Sequence, residues 1–122
     1  MISGISERTV TASDGSGVVV VTPHGELDLG AIASLDSALR SALAAAGSPP
    51  RLIIDLSDVD LLAPVVLGVL LDVRRRCQGA DGRMSLVVTD PEINDTLVDT
   101  GVEPLFEMAP GIQDAMERLS VD

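Results

Sequence analysis

One histidine, one thiol, three closely spaced acids and a run of three arginines are the groups in this chain with chemistry to offer. A Cys/His nucleophilic pair needs both groups at one cleft and a third group to orient the base. His24 and Cys77 fall in different elements, and no acid is spaced along the sequence to orient the imidazole, so His24 reads as an exposed strand-end residue. Cys77 reads as a small packing residue at a helix end; being single, it rules out an internal disulfide and a multi-cysteine metal site. Asp55, Asp58 and Asp60 suggest divalent-cation binding, but no central glycine and no downstream bidentate glutamate follow at the required spacing. They read as a solvated strand-to-loop turn. The glycines match neither the dinucleotide nor the nucleotide-phosphate pattern, and there is no lysine, which disfavours nucleotide hydrolysis. The chain is therefore expected to be no enzyme, with no catalytic residue, metal or cofactor.

The bulk charge narrows the partners. A net charge of −11 and a pI near 4.2 repel a phosphate backbone, so direct nucleic-acid binding is not expected. Arg74, Arg75 and Arg76 read as the solvated end of a helix, where carbonyl dipoles favour cations. The amino-terminal stretch carries Glu7 and Arg8 and lacks the apolar core of a secretory signal. The longest apolar run, Leu61 to Leu71, is fenced by Asp60 and Asp72 and is too short for a bilayer that needs about 20 residues. A cytoplasmic chain without a membrane segment is the expectation. With 122 residues, 46% of them hydrophobic, one domain suffices, and a single aromatic residue means that its core must be aliphatic.

Hydrophobic spacing then places these residues on elements. Glu7 to Ala12 alternates weakly, Asp14-Gly15-Ser16-Gly17 supplies a hairpin turn, and Val18 to Val21 is a buried strand ending near Thr22-Pro23-His24-Gly25. After Asp28, a helix N-cap region, Ile32, Leu35, Leu39, Ala42 and Leu43 recur at helical spacing until Gly47. Leu52 to Leu56 is an interior strand, and Pro64 opens a helix that continues from Val65 to Arg76. Met84 to Val88 is the next strand, Asp90-Pro91 starts a helix ending near Gly101, Leu105 to Met108 is a short strand, and Ile112, Ala115, Met116 and Leu119 mark a last helix. The expectation is an α/β domain over residues 7–119, with about five strands in a mixed, mostly parallel sheet and about four helices. Residues 1–6 and 120–122 are expected to fray.

Two segments carry a family resemblance: Gly25-Glu26-Leu27-Asp28 after the valine strand, and Asp55-Leu56-Ser57-Asp58-Val59-Asp60-Leu61-Leu62 leading into Leu67-Gly68-Val69-Leu70-Leu71. With Thr100-Gly101-Val102 before Leu105-Phe106, they resemble the STAS domains of bacterial anti-sigma factor antagonists along nearly the whole chain. The resemblance implies a protein-interaction module whose partner is an anti-sigma factor of kinase-like fold. In that family an Asp-Ser-Ser-Gly-like stretch opens the helix, and the partner phosphorylates its second serine. Here the four positions read Ala63-Pro64-Val65-Val66, so the phosphoacceptor position is Val65 and no phosphoacceptor is expected; Asp28, matching an aspartate the family keeps nearby, is present.

The residues implied in partner binding are Asp28, Ala63, Pro64, Val65, Val66 and Val69. The seven aliphatic residues between Val65 and Val73 cannot all share one helical stripe, so some are expected to meet a partner or a second layer. The same surplus supports a second reading, a sensor with an apolar or nucleotide-like ligand between the Asp55 strand and the valine-rich helix. A third is a subunit of a larger STAS-containing assembly. The oligomeric state is left open by the sequence, and Ser57 and Ser85 are the other hydroxyls weighed as regulatory sites, Ser57 being better suited to a backbone hydrogen bond.

Overall fold

The computed structural model describes residues 2–120. It opens on an antiparallel hairpin, β1 (Ile2–Thr11) and β2 (Gly17–Leu27). Local chemistry makes the turn: Gly15 takes φ +86°, and Asp14 Oδ1 accepts from the Ser16 amide at 2.9 Å and from its hydroxyl at 2.5 Å. Arg51 Nη1 donates to Asp14 Oδ2 at 3.0 Å and ties the turn to the next strand. The Ser16 hydrogen bonds, then Arg51, hold the Asp14 carboxyl well below the usual carboxylate range.

Both hairpin strands run further than expected. Residues 2–6 belong to β1 rather than to a frayed end, because β2 continues past its valines and offers a partner as far as Gly25, while Ile2 and Ile5 pack against the core. Ser120 closes the last helix; Met1, Val121 and Asp122 lie outside the described residues. Pro23 did not end β2, since it falls between two parallel ladders: Val19–Val21 pair with one strand and Gly25–Leu27 with another, so a missing N–H there interrupts neither. Gly25, at φ +94°, sits at a register shift inside the second ladder, between Gly25 and Glu26, and donates its amide to Asp58 O at 3.1 Å.

A 3₁₀ turn, Leu29–Ala31, leads into α1 (Ile32–Ala45), whose buried face is Leu35, Leu39 and Ala42. The two strands beside β2 are β3 (Arg51–Asp55) and β4 (Val59–Leu62). The sequence reading missed β4, because its exposed middle pair, Asp60 and Leu61, breaks the alternation that marks a strand. A second 3₁₀ turn, Pro64–Val66, precedes α2 (Leu67–Gly79), so the proline opens a tight turn and the α-helix starts two residues after Val65. Then come β5 (Arg83–Val87), α3 (Pro91–Asp99), β6 (Glu107–Ala109) and α4 (Ile112–Ser120). Asp90 caps α3, accepting from the Glu92 amide at 2.9 Å.

The six strands form one sheet in the order β1-β2-β3-β5-β6, with β4 extending the β3 side of β2; β1 alone is antiparallel. Two aliphatic clusters flank it. The larger joins Val19, Val21, Leu52 and Ile54 to the buried faces of α1, α2 and α3, and the smaller joins Val18, Val20, Ile53 and Val87 to Ala115, Met116 and Leu119 of α4. Because β2 to β6 are parallel, their carboxyl ends share one edge of the sheet, and the two 3₁₀ turns sit on that edge.

Candidate functional site

The parallel strands deliver two turns side by side. The Ala63 amide donates to Leu27 O at 2.8 Å, which sets Pro64–Val66 against Leu29–Ala31. Ala63 is extended, at φ −73° and ψ 138°, and caps the turn with no side-chain hydrogen bond, since alanine has no acceptor. Pro64 occupies the first position, where an N–H would have no intrahelical partner.

The six residues singled out from the sequence divide cleanly at this edge. Pro64 is exposed and Val65 is 52% exposed, while Asp28 and Ala63 are half-buried. The Asp28 carboxylate folds over Gly30, where a Cβ would stand 3.4 Å from Oδ1. Val66 and Val69, in contrast, belong to the core beside Leu67, Leu70 and Val73. The aliphatic surplus of this helix is largely taken up by a second layer: α1 packs on α2, and both lie on the sheet. Where a ligand was expected, Asp55 is 7% exposed and Leu56, Val66, Leu67 and Leu70 are buried. A cleft of about 280 Å³ lies between the last turn of α2 and the start of β5, lined by Arg74, Cys77, Met84 and Phe106.

Two aliphatic residues of the site escaped the sequence reading. Leu29, 72% exposed, stands between Asp28 and Gly30, and Leu61, 45% exposed, lies across from Glu26 on the paired strand. The available signal was phase: Ala31, Leu35, Leu39 and Ala42 form the buried series, and Leu29 falls outside it. With Val65 these residues make an aliphatic edge carried on adjacent segments.

The remaining chemical groups have settled roles. His24 does have an orienting acid: Nδ1 lies 3.2 Å from Asp58 Oδ2, and Nε2 lies 3.0 Å from Ser6 Oγ. Only the fold could reveal this, because the partners come from β1 and from the turn between β3 and β4. The half-exposed imidazole links those two segments across β2. Of the other two acids, Asp55 turns inward and accepts from the Ser57 amide at 3.0 Å, and Asp60 points outward. Among the described residues no cluster of three His, Cys, Asp or Glu is placed to hold a metal ion. Ser85 is buried and donates to Glu107 O at 3.2 Å. Cys77 is buried in the core, and burial pushes its thiol up to about 11.

The fold defines a class. The STAS domain model matches residues 9–115, and the chain belongs to the STAS domain family. It is 30% identical over 108 residues to the anti-sigma-F factor antagonist RsfB of Mycobacterium tuberculosis, covering 88% of this chain and 86% of the relative. Among solved structures, an anti-sigma factor antagonist from Mycobacterium paratuberculosis superposes with a TM-score of 0.78 at 28% identity, over 97% of this chain and 96% of the other. The antagonist SpoIIAA in its unphosphorylated form shares the fold, with a TM-score of 0.72 at 20% identity over 94% and 95%. Among the described residues, no helix is long and apolar enough to cross a membrane.

Proposed function

We propose that this chain is an anti-sigma factor antagonist-like module that acts in the cytoplasm by binding an anti-sigma factor of kinase-like fold, and that it does so without a phosphorylation switch at Val65. The observation that carries the reading is the placement of Val65: it stands 52% exposed on the tight turn after β4, beside the turn that follows Asp28. This is where the family resemblance calls for the phosphoacceptor. Phosphate would bring about −1.5 to −2 charges and three acceptor oxygens to a helix start, enough to expel a close-fitting partner. Valine offers no oxygen to receive it, so the edge stays apolar and binding is constitutive. Regulation then falls to abundance or to the partner.

The test combines the purified chain with the kinase-like anti-sigma factor from its own genome, with and without Mg-ATP, and weighs the products by native mass spectrometry. A complex that persists in ATP, with no phosphate on residues 63–66, is the expected result. Absence of a complex overturns the reading. Phosphorylation elsewhere that releases the partner overturns its constitutive part.

A further inference from the structure

The arginines of this protein are strongly segregated. Arg51 and Arg83 are the first residues of β3 and β5, at the edge of the sheet opposite the two 3₁₀ turns. Arg74, Arg75 and Arg76 sit toward the far end of α2, Arg40 in the second half of α1, Arg118 in the last turn of α4, and Arg8 opposite Val20 in the hairpin. No lysine or arginine occurs from Pro23 to Ala38 or from Leu52 to Val73, the stretches that build the aliphatic edge. Those stretches do carry Glu26, Asp28, Asp58 and Asp60, and the one basic group among them, His24, already faces Asp58. The segments that carry the exposed aliphatics Leu29, Leu61 and Val65 therefore hold acids and no arginine or lysine.

From this polarity we infer that the partner presents an apolar seat rimmed by arginine or lysine, and that the acidic rim here governs how fast the partners meet while the aliphatic edge governs how long they stay. The inference rests on the proposed binding through this edge and adds the partner's chemistry to it. Complementary charge mainly raises association rates, and exposed charges are screened within a Debye length of about 8 Å at physiological salt. Burial of aliphatic surface is insensitive to moderate NaCl and acts on dissociation.

Stopped-flow or surface-based kinetics with the purified anti-sigma factor, from about 20 mM to about 500 mM NaCl, separate the two contributions. The association rate constant is expected to fall roughly tenfold across that range, with dissociation changing less than about twofold. The single variant Asp60→Asn should slow association about twofold at low salt. Asp81→Asn, on the exposed turn before β5, alters the net charge but should leave association unchanged. A salt-independent association rate overturns the inference while leaving the binding intact, and so does equal slowing by Asp81→Asn, which would assign the effect to net charge. No binding at any salt concentration removes the functional reading itself.

Discussion

Replacing Gly82 by alanine tests the packing where α2 turns back into β5. A Cβ on Gly82 would stand 2.3 Å from Pro50 O, 2.6 Å from its Cγ and 2.8 Å from its Cδ. Ordinary C···O contacts begin near 3.3 Å, so the backbones must part by about 1 Å. That same carbonyl accepts the Arg83 amide at 2.9 Å, the bond that starts the β3–β5 edge, and a shift of that size would take it beyond hydrogen-bonding range. Overpacking strain of about 1–3 kcal/mol and loss of a hydrogen bond worth about 1 kcal/mol give roughly 2–4 kcal/mol in all. For a domain of this size that is a fall in Tm of about 10 °C. Far-UV circular dichroism is the suitable assay, since the chain has no tryptophan or tyrosine to report by fluorescence. Gly79→Ala is the control: nothing lies within 4 Å of its Cβ position, and as the last residue of α2 it should hold or slightly raise Tm. A Gly82→Ala protein melting within about 2 °C of the parent would refute the steric argument.

Partner affinity should depend more on Leu29 than on Val65. At roughly 1.5–3 kcal/mol for full burial of such side chains, exposures of 72% and 52% leave about 2 and about 1 kcal/mol to be gained on contact, so Leu29→Ala should weaken Kd about tenfold or more and Val65→Ala about fivefold. Calorimetric titration that ranks them the other way, or finds no effect, would discount this edge as the seat; Val65→Asp should be worse than either, since it buries a charge. Cys77 should resist a thiol reagent in the native state and react at a rate set by opening of the fold, because its thiol is buried and titrates near 11; immediate stoichiometric labelling would contradict this. Acid should destabilise through Asp14 and Asp72, the latter held down first by its hydrogen bond from Arg76. Carboxyls depressed in the fold stabilise it above their unfolded value near 3.8 and lose that contribution as pH falls through the folded value, so Tm should decline below about pH 4, less steeply in Asp14→Asn.

Where one element imposes its own period, the sequence was readable. Leu35, Leu39 and Ala42 mark α1, Asp90-Pro91 marks the start of α3, and Asp14 to Gly17 marks the hairpin turn, all through local chemistry. What escaped depends on pairing across the sheet. The short strand β4 exists because β2 reaches beyond its valines to meet it, and neither strand signals that alone. His24 and Asp58 meet for the same reason. At the edge itself, residue type located Val65 but could not sort it from Val66 and Val69, which differ from it only in the direction the helix turns them.

The two faces of the sheet are roofed unequally, and this bears on how the chain is made. Three helices cover one face and are interleaved with the strands they cover, so that side can close as it is synthesised. Val18, Val20, Ile53 and Val87 on the other face wait for α4, the sole helix of their cluster among the described residues. Until that segment has left the ribosome, a nascent chain carries a bare aliphatic plane, the kind of surface on which chaperones act.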